Sequence, residues 1–243
     1  MEIAVKTDVG KVRHINEDAV SFLQYDDTKA YVIVADGMGG HKGGKLASQG
    51  SIDRIRGYFA GRALQAAAST EIPSILKDCL DYVNESLYLK SLEDATLVGM
   101  GTTVVLCVIT ENSLSVANVG DSRLYLLRDG ILRQLTKDHS LVQQLVDAGS
   151  ITPEEAQHHN KKNIITRAIG SEPTVEVDTY TETIQKEDLI LLCSDGLSNL
   201  VPEREMIGIL QQEPVLQDSV DRLVEMANSY GGFDNITVAA IRV

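Results

Sequence analysis

The stretch TTVVLCVITENSLSVANVGDSRLYLLRDGILRQL, residues 102–135, decides the fold class of this chain. Within it, four short runs rich in β-branched and aliphatic residues follow one another with no helix between them: residues 102–109, 113–119, 124–127 and 131–135. Runs of this length and composition read as strands. Asp129-Gly130, between the last two, is a two-residue hairpin signal. Strands that arrive consecutively, joined by hairpins, favour an α+β plan with largely antiparallel sheets over a βαβ alternation.

Working outward, residues 3–7, 31–35, 189–193 and 236–243 give further strand signals. Helical signals come in pairs between the strands. The first pair lies near residues 46–59 and 73–92, the second with Ile75, Leu76, Cys79, Leu80, Val83 and Leu87 on one stripe. Pro73 suits the first helical position. A later pair, residues 203–211 and 217–229, starts after Pro202. Between Asp138 and Gly170 the pattern changes to two short helices. One spans residues 141–148 and is closed by Gly149; the other starts at Pro153, with Thr152 as cap and Glu155 in capping-box position. The segment from about 141 to 165 reads as an insertion, polar and partly basic through His158-His159-Asn160-Lys161-Lys162, which suits equally a flap beside an anion site and a plain surface excursion.

The 243 residues, 43% of them hydrophobic, suffice for one large mixed domain, and with no repeat, linker or low-complexity tract the simplest reading is a single domain over 1–243. No apolar run approaches the roughly 20 residues that span a bilayer, and no basic-then-apolar leader opens the chain. A cytoplasmic protein without membrane contact is expected. A formal charge of -13, from 35 acidic and 22 basic residues, repels a phosphate backbone, so nucleic acid is not an expected partner. Three widely spaced cysteines read as buried free thiols. None is followed six residues later by Arg, which excludes the thiol-phosphatase signature.

Four aspartates share one arrangement, with an apolar strand ending at an aspartate that has glycine beside or near it. Asp36 follows residues 31–35, Asp121 follows 116–120, Asp195 follows 189–194, and Asp234 precedes the last strand. One Asp-Gly at a strand end is ordinarily just a turn; four are harder to dismiss. Carboxylates meeting on one rim repel unless cations sit among them. All-oxygen donors without Cys or paired His point to hard octahedral ions, magnesium or manganese, rather than zinc. Two such ions can activate a shared water and offset charge on a phosphoryl group. A phosphate substrate also needs a directional cation, and Arg13, close to Asn16, Glu17 and Asp18, is the candidate. His41 and His139 are candidate acids for the leaving alkoxide.

Seven motifs in order, spanning essentially the whole chain, carry a resemblance: residues 13–18, Asp36-Gly37-Met38-Gly39-Gly40-His41, Gly99-Met100-Gly101-Thr102-Thr103, Val119-Gly120-Asp121-Ser122-Arg123, Asp138-His139-Ser140, Ser194-Asp195-Gly196 and Gly231-Gly232-Phe233-Asp234-Asn235. Together they resemble the metal-dependent protein phosphatases, the type 2C serine/threonine enzymes, in their compact bacterial branch. The resemblance implies a four-layer αββα sandwich with the metal cleft at one end of the sheets. It implies hydrolysis of phosphoserine and phosphothreonine esters by direct attack of a water held between two manganese or magnesium ions.

In that picture Asp36 bridges both ions, the Gly37 carbonyl binds one, and Asp195 and Asp234 bind the other. Asp121 with Asp195 resembles the ligands of a third, weaker metal. Arg13 matches the phosphate clamp, Glu17 and Asp18 match carboxylates that hold waters around the ions, and the insertion corresponds to a flap over substrate. Met38 stands where eukaryotic members carry a histidine acid, which leaves His41, near in sequence, or a metal-bound water as the acid. The implied partners are phosphorylated proteins and a cognate serine/threonine kinase, with the chain acting as a monomer.

Two rival readings remain. One is a non-catalytic phosphoprotein-binding module on the same fold, although every expected acidic position is filled. The other is a nucleotide hydrolase built on Gly39-Gly40-His41-Lys42-Gly43-Gly44-Lys45, whose P-loop spacing is spoiled by Leu46 in place of Ser or Thr.

Overall fold

Strands β3 (Lys29–Ala35), β6 (Val104–Thr110), β11 (Leu189–Cys193) and β12 (Ile236–Arg242) are buried along almost their whole length, which requires cover on both faces. A computed structural model, describing residues 1–39, 43–61, 64 and 67–243, shows what provides it. One five-stranded sheet has the order β10 (Asp178–Thr183), β7 (Ser113–Val119), β6, β3, β2 (Ala19–Gln24). The other runs β1 (Glu2–Asp8), β12, β11, β8 (Arg123–Arg128), β9 (Ile131–Gln134), and a short ribbon pairs β4 (Gly37–Met38) with β5 (Gly101–Thr102). Every neighbouring pair in both sheets is antiparallel.

Side chains alternate across each strand, so each sheet serves two cores. Tyr31, Ile33, Leu106 and Val108 face α1 (Gly43–Gly61) and α2 (Ile72–Glu93), packing with Ile52, Ile55, Leu76 and Leu80. Their alternates Val32, Val34, Val105 and Cys107 meet Ile190, Leu192, Ala239 and Ile241 of the second sheet. The remaining face, with Leu191, Cys193, Val238 and Ala240, packs on α6 (Glu203–Gln212) and α7 (Leu216–Ser229) through Met206, Ile209, Val220 and Leu223. Helix, sheet, sheet, helix is the expected four-layer sandwich. At about 1.5–3 kcal/mol for each fully buried large aliphatic, three stacked cores supply the main drive to fold.

Most local signals hold. Asp129 and Gly130 both adopt positive φ, 52° and 77°, which closes the β8–β9 hairpin. The Thr152–Glu155 capping box opens α4 (Pro153–Gln157), and Gly149, at φ 67°, follows α3 (Leu141–Asp147). All three cysteines are buried thiols outside any disulfide. Two details differ. With Glu71 as cap, Pro73 is the second helical residue of α2, not the first, and Ile75 is only partly buried, while Ile72 joins the buried stripe. Among the described residues no helix is long and apolar enough to cross a membrane.

Strand direction brings the acidic loops together. Because β3 and β7 are each antiparallel to β6, they run the same way, and Asp36 and Asp121 leave the sheet at the same edge. In the other sheet Cys193 pairs with Val238, so the exit of β11 lies beside the entry of β12, and Asp195, which opens the short helix α5 (Asp195–Ser198), lies near Asp234. Pairing of Ala19 with Ala35 sets Asp18 beside Asp36. Pairing of Asp8 with Ile236 delivers the loop carrying Arg13 to the same rim.

Candidate active site

At that rim lies a cleft of about 260 Å3, lined by Arg13, Glu17, Asp36, Gly37, Met38, Asp121, Asn163, Asp195 and Asp234, among others. Three hydrogen bonds tie down the backbone of Asp36. Its N–H donates to Thr103 Oγ1 (3.0 Å), and its carbonyl accepts from Thr102 Oγ1 and the Thr103 N–H (both 2.8 Å). Thr103 Oγ1 also bonds Ser122 Oγ at 2.7 Å. Gly120 (φ 107°) lets the next strand exit close against this threonine, since a Cβ there would stand 2.5 Å from Thr103 Cβ. A Cβ on Gly37 would fall 2.6 Å from the Glu17 carbonyl oxygen, so only glycine fits between the two loops.

Asn235 fastens the Arg13 loop to the head of β12. Its side-chain amide donates to the carbonyls of Val9 (2.9 Å) and Ile15 (3.0 Å), while its Oδ1 accepts from the Glu17 N–H (2.9 Å). Arg13 Nη2 donates to Asp234 Oδ2 at 2.9 Å. The arginine is thus ion-paired to a carboxylate distant in sequence, at the cleft, rather than to its neighbours Glu17 or Asp18. Asp18 does not line the cleft. It sits behind it, 8% exposed, with Oδ2 accepting from Ser194 Oγ at 2.8 Å.

The electrostatics show the strain of gathering these acids. Burial, and then the charges of Asp18, Asp195, Asp121 and Asp234, push Asp36 well above the usual carboxylate range. Burial, followed by the charges of Asp195 and Asp138, does the same to Asp121. Asp195 is pushed up to about 6, by burial and then by Asp234, with a hydrogen bond to Asp36 offsetting part of the rise. Asp18 reaches about 7 through burial, although the hydroxyls of Thr237 and Ser194 oppose it. Glu17 Oε1 and Asp18 Oδ1 are buried with no hydrogen-bond partner among the described residues. Carboxylates that resist ionisation, with acceptor atoms left over, could serve as donors to a hard cation.

Among the described residues no three His, Cys, Asp or Glu side chains close to the spacing that would hold one ion with side chains alone. A magnesium-like ion does not need that, because it retains several waters and takes one or two carboxylates.

The two histidine candidates fare differently. His41 lies outside the described residues, as do Gly40 and Lys42 of the P-loop-like run. His139 is not part of the cleft lining. It is 6% exposed, its Nδ1 accepts from the Gly120 N–H (3.1 Å), and the proton therefore sits on Nε2, facing Asp178 Oδ2 at 3.3 Å. Burial lowers its pKa, so the ring stays neutral and holds the strand exit before Asp121 in place. Sequence reading assigned no role to Thr103, Asn163 or Asn235. Thr103 and Asn235 stood inside quoted motifs, whereas nothing local marked Asn163.

Comparison with known proteins agrees with this geometry. A family model described as Protein phosphatase 2C matches residues 11–237. The serine/threonine phosphatase stp of Listeria monocytogenes serotype 4b is 44% identical over 241 residues, covering 99% of this chain and 95% of the relative. The structure of the S. agalactiae serine/threonine phosphatase superposes with a TM-score of 0.93 at 36% identity, over 100% of this chain and 99% of that one. The catalytic domain of the serine/threonine protein phosphatase PstP, solved in complex with 2 manganese ions, superposes with a TM-score of 0.82 at 36% identity, covering 98% and 96%. On these grounds the chain belongs to the protein phosphatase 2C family of metal-dependent serine/threonine phosphatases.

Proposed function

We propose that this phosphatase hydrolyses phosphoserine and phosphothreonine esters of proteins with two manganese or magnesium ions held in the described cleft. Asp36, the Gly37 carbonyl, Asp195 and Asp234 would hold those two ions between them, and Asp121 with Asp195 would hold a weaker third. The observation that carries this reading is the convergence of Asp36, Asp121, Asp195 and Asp234 with Arg13 on one cleft, where burial and mutual repulsion disfavour bare carboxylates and a cation would relieve both. When bound, such a pair of ions supplies Lewis acidity to water and offsets charge on the phosphoryl oxygens.

The chain's own residues do the rest. Arg13, half-exposed at the cleft, presents its planar N–H groups to phosphate oxygens. Glu17 and Asp18 have buried oxygens free to accept hydrogen bonds from waters of the site. Met38 offers no proton at the cleft wall, so the leaving alkoxide takes its proton from water or from His41. A cysteine nucleophile is disfavoured, because burial pushes the Cys107 and Cys193 thiols up to about 12.

We read residues 1–243 as one catalytic domain, with about 141–165 as a flap beside the cleft, acting as a cytoplasmic monomer that reverses a serine/threonine kinase. The test is turnover of phosphoserine, phosphothreonine and phosphotyrosine peptides with manganese, with magnesium and in excess chelator. Hydrolysis of the first two that depends on metal is expected; undiminished turnover in chelator overturns the assignment.

A further inference from the structure

Asp195 and Asp234 wall a second, smaller cavity of about 110 Å3 next to the cleft, with Leu200 and Phe233 on one side of it and Lys162 and Asn163 of the flap segment on another. Phe233 is 61% exposed. A single exposed aromatic is ordinary, but this one is held in place. The N–H groups of Lys11 and Val12 donate to the Gly232 carbonyl (2.8 and 3.3 Å), and the Gly232 N–H donates to the Ala227 carbonyl (3.1 Å). On the other side Arg13 grips Asp234. The ring lies back over Gly231, whose φ is 126° and where a Cβ would meet ring carbons at 2.5 Å. Only glycine allows that placement. The result is a fixed apolar surface immediately beside two of the cleft's carboxylates.

We propose that this cavity receives an apolar side chain of the residue flanking the phosphoserine or phosphothreonine in the protein substrate, with Phe233 and Leu200 supplying the apolar contact. The inference rests on the phosphatase reading above. Successive residues of an extended peptide rise about 3.3 Å each, so a neighbour of the phosphoresidue falls beside the cleft when the phosphate is inside it. The volume suits a branched aliphatic side chain, being somewhat below the ~150 Å3 apolar cavity that takes up benzene. A rigid aromatic contact loses little entropy when it is covered. In an open pocket of this kind the gain for an aliphatic over glycine is about tenfold in kcat/KM, the low end for enclosed apolar pockets.

The experiment is a phosphothreonine peptide series in which leucine or glycine occupies each of the two positions on either side, assayed in manganese with the wild type, Phe233→Ser and Phe233→Leu. At one position the wild type is expected to prefer leucine by about tenfold, Phe233→Ser to bring the ratio within twofold of unity, and Phe233→Leu to restore most of it. Because the ratio is taken within each protein, any loss of folding or chemistry common to both peptides divides out. A wild type without preference at any position, or a preference that survives in Phe233→Ser, overturns the subsite while leaving the phosphatase reading intact. Failure to turn over any peptide overturns both.

Discussion

Replacing Asp195 by asparagine is expected to stabilise the metal-free protein while abolishing its activity. In the folded state burial, and then the charge of Asp234, lift this carboxyl from 3.8 to about 6. At about 1.36 kcal/mol per pH unit, the rise corresponds to at most roughly 3 kcal/mol held against the ionised form. Repulsion is shared with Asp36 and Asp234 and relaxes in part, so about 1–2 kcal/mol is the expected gain at pH 8. The asparagine Oδ1 can keep the hydrogen bond now accepted from Asn199 Nδ2 at 2.9 Å.

The sign follows from linkage. The folded pKa exceeds the unfolded one, so the penalty is absent below about 3.8, grows as pH rises towards about 6, and is constant above. For a chain of this length 1 kcal/mol moves Tm by about 2–4 °C. Thermal melts in excess chelator should therefore place the variant about 2–8 °C above wild type at pH 8 and about half as far above at pH 5. Saturating manganese should reverse the order, since ligand at 100 times its Kd adds about 2.7 kcal/mol to whichever protein binds it. A variant that melts below wild type in chelator at pH 8, or an advantage that does not shrink at pH 5, refutes the electrostatic account.

Arg13→Ala should raise KM for phosphoproteins by about tenfold or more, the worth of a charge-assisted hydrogen bond; titration calorimetry should find manganese affinity nearly unchanged, because the ion pair with Asp234 is half-exposed and weak. Asn235→Ala removes three hydrogen bonds that hold the Arg13 loop and should cost about 2 kcal/mol in denaturant unfolding, with kcat falling as the loop loosens. Ile190→Ala, in the core between the sheets, should cost about 2–5 kcal/mol, read as a lower urea midpoint at constant slope, with the metal dependence of catalysis unchanged.

Local pattern carried much of this molecule. The continuous apolar runs of β3, β6, β11 and β12, the helical stripe of α2, the Asp129-Gly130 hairpin and the Thr152–Glu155 cap are each written within a dozen residues, where side-chain period and turn chemistry act. So was the placement of aspartates at strand ends, although the layer order came from resemblance rather than from periodicity. Strands β2 and β10 escaped. Asp178–Thr183 is polar and half-exposed along an edge, and it becomes a strand only because β7 offers it hydrogen bonds. Tertiary structure alone decided that four aspartates meet, that Arg13 reaches Asp234, that Asn235 ties down the loop between them, and that Phe233 stands beside the cleft. Each of these depends on which strands neighbour one another and in which direction they run. That choice is fixed by burying three cores at once, which no window of sequence encodes by itself.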